Sequence, residues 1–584
     1  MSNVNQWDLS ADDWDELNFP RPIKQGFDRV VKAAISRRGV LGGVLAFGSG
    51  AAVMGTGLLK GSTAMAQQTS RFAFEQLAPQ TDGTVHVPAG YNWHTLVRWG
   101  DPLFSDAPAF DAVTGVPTTG SDRVFGENTD GMELFNLGNT ELLVVNSEYV
   151  NTRINLPDGQ DGKAISADDI VRLQNFQGVS VMEVTETADG WKVVVDSPYN
   201  RRIHHRSPMT IDGPAAAGFK RYGVSTKVDP GRYNYHGFDA RFDLSNNPNE
   251  PHRAGYIVEI DPWNPDSTPV KHTALGRFKH ENAACALALD GRVVVYMGDD
   301  ERGEYIYKWV SRDVYVPGGD TATLLSEGQL FVARFNDDGT GIWLALTPED
   351  TGMTKAEIAI FTRMAGTAVS ATTMDRPEWV AVNPTAVEAY CCLTNNVQRG
   401  ATNDDESFRT NAAGEPMITN APNPRNMNRY GQIVRWRPHG DEHAAPTFDW
   451  DLYVMAGNPT VHGKGPYAGT ANINAGNLFN SPDGMHSDTT GLLWIQTDGN
   501  DGNDGDFVGM GNNQMLAGDP VTGEIRRFLT GPKGAEVTGL TWSADKRTMF
   551  VGIQHPDRPF PDGEHSLPRS SIIVVKCDDN ALIG

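Results

Sequence analysis

The chain has 584 residues, with 49 Lys+Arg against 73 Asp+Glu and a formal net charge of −24, so its long-range field opposes nucleic acid and anionic lipid and makes neither a partner. Glycine (62) and proline (35) are abundant and hydrophobic residues are only 39%, which excludes a bundle of long buried helices and suits many short strands joined by turns. A carboxylate excess suits hard cations such as calcium.

The first element in chain order is a targeting segment. After an acidic leader, Ser36, Arg37 and Arg38 precede a glycine-rich, weakly apolar stretch that ends in the A-x-A pattern of Ala64, Met65 and Ala66. This reads as a cleavable twin-arginine signal over residues 1–66, handled by the twin-arginine export machinery. Lys60 interrupts the run before about 20 apolar residues accumulate, so no stable membrane anchor is expected. The mature body, 67–584, is expected as one domain in the periplasm or outside the cell.

From Arg71 onward, short apolar runs alternate with DG, NP, GD and PG turns. One unit recurs: an acidic residue opens a short strand, a turn follows, and a second apolar strand ends in a polar cluster. Its copies are HENAACALALDGRVVVYMGDDE, RPEWVAVNPTAVEAYCCLTNN, SPDGMHSDTTGLLWIQTDG and AEVTGLTWSADKRTMFVGIQHP, with a weaker one in TDGMELFNLGNTELLVVNSEY. The runs AGYIVEIDP, GQIVRWRP, GEIRRFLTGP and SIIVVKCDD read as outer strands. Inner pairs with outer partners repeated along a chain predict an all-β propeller with loop insertions, and six blades are expected. Superposing the copies brings Glu281, Glu378, Asp483 and Glu536 to one mouth of the channel, with Glu148, Asp299 and Asp498 near strand ends. Like charges gathered in this way call for a cation.

Four cysteines, Cys285, Cys391, Cys392 and Cys577, contain no CxxC pair, and adjacent Cys391 and Cys392 on a strand point to opposite faces. Small buried hydrophobes are the better reading than a disulfide framework. The stretch from Asp498 to Asp506 alternates oxygen ligands with glycine, as a calcium loop or a solvated acidic loop does. His204 and His205 are adjacent and read as surface residues. No GxSxG or P-loop pattern has a supporting context, which argues against a serine hydrolase or a nucleotide-dependent enzyme.

Around the acids, the blocks VPAGYNWHTLVRWGDPL, SPYNRRIHHRSPMTIDGPAA, NEPHRAGYIVEIDP, ALGRFKHENAA, VVVYMGDDERGEYIYKWVS, MDRPEWVAV, SPDGM, LWIQTDG and TMFVGIQHP together resemble the PhoX-type alkaline phosphatases. The resemblance implies a calcium- and iron-dependent propeller enzyme acting on small-molecule phosphomonoesters outside the cytoplasm. Carried over by position, Glu148, Glu281, Glu378 and Asp483 correspond to metal ligands. Arg376 corresponds to a phosphate-contacting arginine, for which the alternative is an ion pair with Asp375 or Glu378, and Glu378 serves the chemistry as well. Two departures stand out. The family's GTxNNCxxGxTPWGTxLxCEEN segment, with its iron-ligating cysteine, is absent where GPAA runs on into FKRYG, so no thiolate is assigned and iron is in doubt. Asn146, Ser147 and Glu148 stand where NHEY is usual. The first expectation is therefore a phosphatase of reduced activity. The alternatives are a propeller that binds calcium or a phosphorylated ligand without turnover, and a one-calcium propeller esterase or lactonase.

Overall fold

The computed structural model describes residues 70–583 except 157–159, 213–219, 223–232, 248 and 404–405. The twin-arginine pair and the GPAA run lie outside the described residues.

Apart from one parallel pair in the second unit, strands follow one another as antiparallel meanders. After β1 (Tyr91–Arg98), the first blade holds β2 (Thr129–Leu137), β3 (Thr140–Ser147) and β4 (Gly178–Thr187), with β5 (Gly190–Val193) and β6 (Arg201–Ile203) in series along the outer edge of β4. The second unit is small: β7 (Thr210–Asp212), β8 (Ile257–Glu259) and β9 (Val270–His272), with β9 in the middle. The third blade runs through β10 (Ala284–Leu287), β11 (Arg292–Gly298), β12 (Ile306–Val314), β13 (Gly328–Phe335) and β14 (Thr340–Ala345). The fourth comprises β15 (Pro377–Val382), β16 (Ala389–Leu393), β17 (Gln432–Pro438) and β18 (Thr447–Met455), and its outer strand pairs with β14. The fifth is β19 (Pro482–Ser487), β20 (Leu493–Thr497), β21 (Gln514–Gly518) and β22 (Ile525–Thr530). In the sixth, β23 (Glu536–Trp542), β24 (Thr548–Gln554) and β25 (Ser571–Cys577) are completed by β1, so the first strand closes the ring.

Each inner hairpin falls on one of the recurring sequence units, including the weaker copy at β2 and β3. Strands such as β23 and β24 are buried along their whole length, because a blade is covered on both faces by its neighbours. The core is accordingly a set of layers between blades. One layer joins the first and sixth blades through Leu143, Phe550 and Val574, and another the fifth and sixth through Trp494, Leu540 and Ile553. Cys392 packs in the layer between fourth and fifth blades and Cys391 in that between third and fourth, on opposite faces of β16 as expected. The second unit meets the third blade through Ile257 and Leu275, and the first through the small patch of Ile260, Val179 and Ile203.

Glycine permits the tightest approach between neighbouring blades. Gly539 of β23 has φ +55°, and a Cβ there would stand 2.4 Å from the carbonyl oxygen of Asp130 on β2. Gly539→Ala is therefore expected to destabilise the fold by roughly 2 kcal/mol or more. Gly90→Ala, also at positive φ but with nothing within 4 Å of its Cβ, serves as the strain-only control. Denaturant titration of both variants measures the difference.

Candidate metal centre

Inner strands deliver carboxylates to one level. Asp130, Glu378 and Asp483 are the second residues of β2, β15 and β19, Glu536 is the first of β23, and Glu281 lies just ahead of β10. Ladder pairing slips between Thr129 and Met132, between Pro377 and Val380, and between Pro482 and Met485. The three acids Asp130, Glu378 and Asp483 each sit inside such an irregularity. A bulge turns a side chain out of the ladder and ends pairing, which here aims the carboxylate away from the blade.

Glu281, Asp300 and Glu378 offer ligand oxygens that all lie within 4.8 Å of one another, as do the ligand atoms of Asp498, Glu536 and His555. The two groups share one field. Burial first, then repulsion from Asp300, Asp130, Glu148 and Asp483, raises the Glu281 carboxyl well above its ordinary range. Burial followed by Asp300, Asp483 and Glu281 does the same to Glu378. Asp483 is raised by burial and Asp498, and Glu536 by burial, Asp498 and Asp483. Asp483 and Glu536 are buried yet accept no hydrogen bond from any described residue. A buried carboxylate in that state is costly unless positive charge is near: Arg376 offsets part of the charge at Asp483 and His555 Nε2 stands 3.7 Å from Glu536 Oε2, and the oxygen-rich donor set at Glu281, Asp300 and Glu378 fits calcium.

Arg376 stands beside this cluster in left-handed backbone, φ 53°. Its Nε donates to Asp300 Oδ1 at 2.7 Å and its Nη2 to Asp300 Oδ2 at 3.0 Å and Glu378 Oε1 at 3.3 Å. Burial alone would raise Asp300, but the Arg376 guanidinium and Lys279 hold it below the usual carboxylate range. Asp375 is not the partner: it accepts from Arg399 at 2.6 Å.

Of the expected acids, Glu148, Glu281, Glu378, Asp483, Asp498 and Glu536 act on one another across the mouth. Asp299 does not join them. Arg363 Nε and Nη2 grip its two oxygens at 2.8 and 2.6 Å, and the neighbouring Asp300 takes the place at the cluster, since adjacent residues of an extended chain point apart. Asp130, Asp300 and His555 were not singled out by the sequence reading. For Asp130 a signal existed: Asp130-Gly131-Met132 repeats Asp483-Gly484-Met485 at the start of an inner strand.

A propeller that gathers carboxylates beside a guanidinium fork has the parts of a phosphatase: oxygen donors for cations and a planar partner for phosphate oxygens. The family profile described as alkaline phosphatase PhoX matches residues 72–220 and 217–557, and the chain belongs to that family. Its two matched stretches meet at 217–220, where GPAA runs on into FKRYG. The solved structure of Pseudomonas fluorescens PhoX in complex with vanadate, a transition-state analogue, is 42% identical, covers 87% of this chain and 99% of its own, and has a TM-score of 0.80. A gluconolactonase of Xanthomonas campestris covers 86% of this chain and 99% of its own at 9% identity and a TM-score of 0.25, too low to bear on function. No curated protein sequence matches the chain.

The raised carboxyls set a pH dependence whose sign is fixed. Protonation of Glu281, Glu378, Asp483 and Glu536 favours the folded state, so their contribution is full below the ordinary values of 3.8 for aspartate and 4.5 for glutamate and is lost as pH rises through the folded values. Asp300, shifted the other way, contributes with the opposite sign. Metal-free protein is expected to lose thermal stability as pH rises above those values, and calcium at about 100 times its Kd to restore about 2.7 kcal/mol. Calorimetry across pH, with chelator and with calcium, measures both. Equal melting curves with and without calcium at neutral pH would contradict the cluster.

Proposed function

We propose that this phosphatase acts outside the cytoplasm on small phosphomonoesters, with calcium held by Glu281, Asp300, Glu378 and Asp483 and with Glu148 adding charge at the mouth. The observation that carries the reading is the pairing of Arg376 with Asp300 and Glu378 at the edge of the oxygen cluster. Bound cations supply Lewis acidity and polarise phosphoryl oxygens. Asp300 holds the Nε and Nη2 edge of Arg376, so the guanidinium is fixed in orientation and offsets the charge of phosphate oxygens beside it.

Iron is the doubtful cofactor. A thiolate is the ligand in the family's segment that most favours iron over calcium, and GPAA running straight into FKRYG leaves no place for it. Among the described residues the second unit has three strands of three residues each, as a blade without its inner pair would. Loss of a strong Lewis acid typically removes several kcal/mol of transition-state stabilisation, about a thousandfold in rate. Turnover of a chromogenic phosphate monoester is therefore expected to be weak, to need calcium and to be indifferent to iron supply. Arg376→Ala and Glu281→Ala are each expected to lower kcat/KM by about a hundredfold or more. Robust turnover that tracks bound iron would overturn the assignment; a calcium-stabilised protein with no turnover at all would favour the binding-only alternative.

No helix among the described residues is long and apolar enough to cross a membrane. Export by the twin-arginine route rests on Arg37 and Arg38 ahead of the glycine-rich run. Changing both to Lys should leave precursor in the cytoplasm, as fractionation and immunoblotting will show, and normal periplasmic mature protein from that variant would refute the route.

A further inference from the structure

Arg376 has left-handed backbone, φ 53°, a conformation that presses its Cβ toward the following carbonyl oxygen. A bulky residue keeps such a conformation only where its surroundings over-determine it. Here those surroundings come from one segment, the loop of 394–431 that joins β16 to β17.

That loop pins the dipeptide Asp375-Arg376 at both ends. The Asp375 N–H donates to Asn423 Oδ1 at 3.0 Å, and the Arg376 carbonyl accepts from the Thr394 N–H at 3.2 Å. Between them the Asp375 carboxylate is gripped as well. Its Oδ1 accepts from Arg399 Nε at 2.6 Å and Asn396 Nδ2 at 3.1 Å, and its Oδ2 accepts from Asn428 Nδ2 at 2.9 Å. Two residues earlier, the Thr373 carbonyl accepts from Arg399 Nη2, Asn420 Nδ2 and Asn423 Nδ2 at 3.2, 2.9 and 3.1 Å. Asp375, Asn396, Arg399, Asn423 and Asn428 are all fully buried. The result is a turn in which Asp375 faces the loop while Arg376 faces Asp300 and Glu378.

We propose that Asp375 is a positioning residue for the phosphatase reaction: clamped by the 394–431 loop, it holds Arg376 in the left-handed turn from which the guanidinium meets Asp300 and serves the phosphate. The proposal rests on reading Arg376 as the phosphate partner. A buried ion pair adds little net stability over apolar packing, so the use of Asp375 with Arg399 is to select one arrangement of the turn. The loop of the fourth blade thereby sets the geometry of the site without touching substrate.

The test is binding of orthovanadate to the calcium-loaded protein, measured by calorimetry for wild type, Asp375→Asn, Arg376→Ala and the double variant. Asparagine keeps the shape of the side chain but presents an amide donor where Arg399, Asn396 and Asn428 all donate. Asp375→Asn is expected to weaken vanadate binding about tenfold in the wild-type background and by less than about twofold where Arg376 is already Ala, since nothing is then left to position. A merely structural defect would weaken both backgrounds alike. A cooperative melt shows that each variant folds. Should Asp375→Asn not fold, Asn396→Ala, which removes one donor to the carboxylate, is expected to weaken binding about threefold with the same dependence on Arg376. Equal weakening in both backgrounds, or unchanged binding by a folded Asp375→Asn while Arg376→Ala weakens it, would overturn the positioning role and leave Arg376 as the phosphate partner. Binding by Arg376→Ala as tight as that of the wild type would overturn the reading of Arg376 itself, and the positioning role with it.

Discussion

Mutual repulsion among buried carboxylates is the constraint around which this molecule is arranged. Two unit charges 4.8 Å apart, the limit of the Glu281, Asp300 and Glu378 group, repel by roughly 3 to 4 kcal/mol at an effective dielectric near 20. A few such pairs match the whole stability of an ordinary domain. Arg376 offsets part of this, being shared between Asp300 and Glu378 and acting on Asp483 as well, while the imidazole of His555 stands 3.7 Å from Glu536. The acids are tolerable when protonated or when a metal lies among them. At neutral pH, metal binding and folding are therefore linked at this mouth.

What holds the acids in place against that repulsion is the blade architecture. Every carboxylate on an inner strand is fixed by a ladder to the strand behind it and by an apolar layer to the blade beside it. The irregularity at Asp130, Glu378 and Asp483 changes only the direction of the first side chains, and regular pairing resumes within three residues. Gly298, whose Cβ would stand 2.3 Å from the Glu378 carbonyl, lets β15 close against the end of β11. That approach brings Glu378 to Asp300, and so brings Arg376 to both.

The hairpins were legible because a propeller writes its inner pair repeatedly, with an acid at a fixed place. Glu281, Glu378, Asp483 and Glu536 could be aligned by that repeat alone. Asp299 against Asp300 could not be resolved in this way: both end the same hairpin, and the choice is made by Arg363, which comes from a short helix (Thr362–Ala368) in an insertion outside the repeat. Asp375, Arg376 and Arg399 are the same case, with pairing decided by a loop that returns from far along the chain. His555 lies within a quoted block, but its place beside Glu536 depends on the Gly534 carbonyl behind it, a contact between separate loops that no local pattern encodes.

The second unit is built differently from the other blades among the described residues. Its short strands contribute no inner strand among the described residues, yet β1 still closes the ring on β25 and the other blades keep their pairwise layers. The seam beside it is held by charge instead of sheet. Arg221 grips Glu304 through Nε and Nη2 at 3.0 and 2.9 Å, and Arg363 binds Asp299 and the carbonyl of Arg221. The Tyr222 ring lies under the guanidinium of Arg277 at 4.3 Å. Burial dominates at Glu304, pushing its carboxyl up to about 7 even between two arginines. A buried network of this kind adds little net stability over an apolar seam, but removing one member leaves an uncompensated charge. It therefore locks Arg221 and Tyr222, within FKRYG, against the third blade in one arrangement. That lock keeps Asp299 engaged with Arg363, and with Asp299 so held it is Asp300 that turns to Arg376 and the carboxylate cluster.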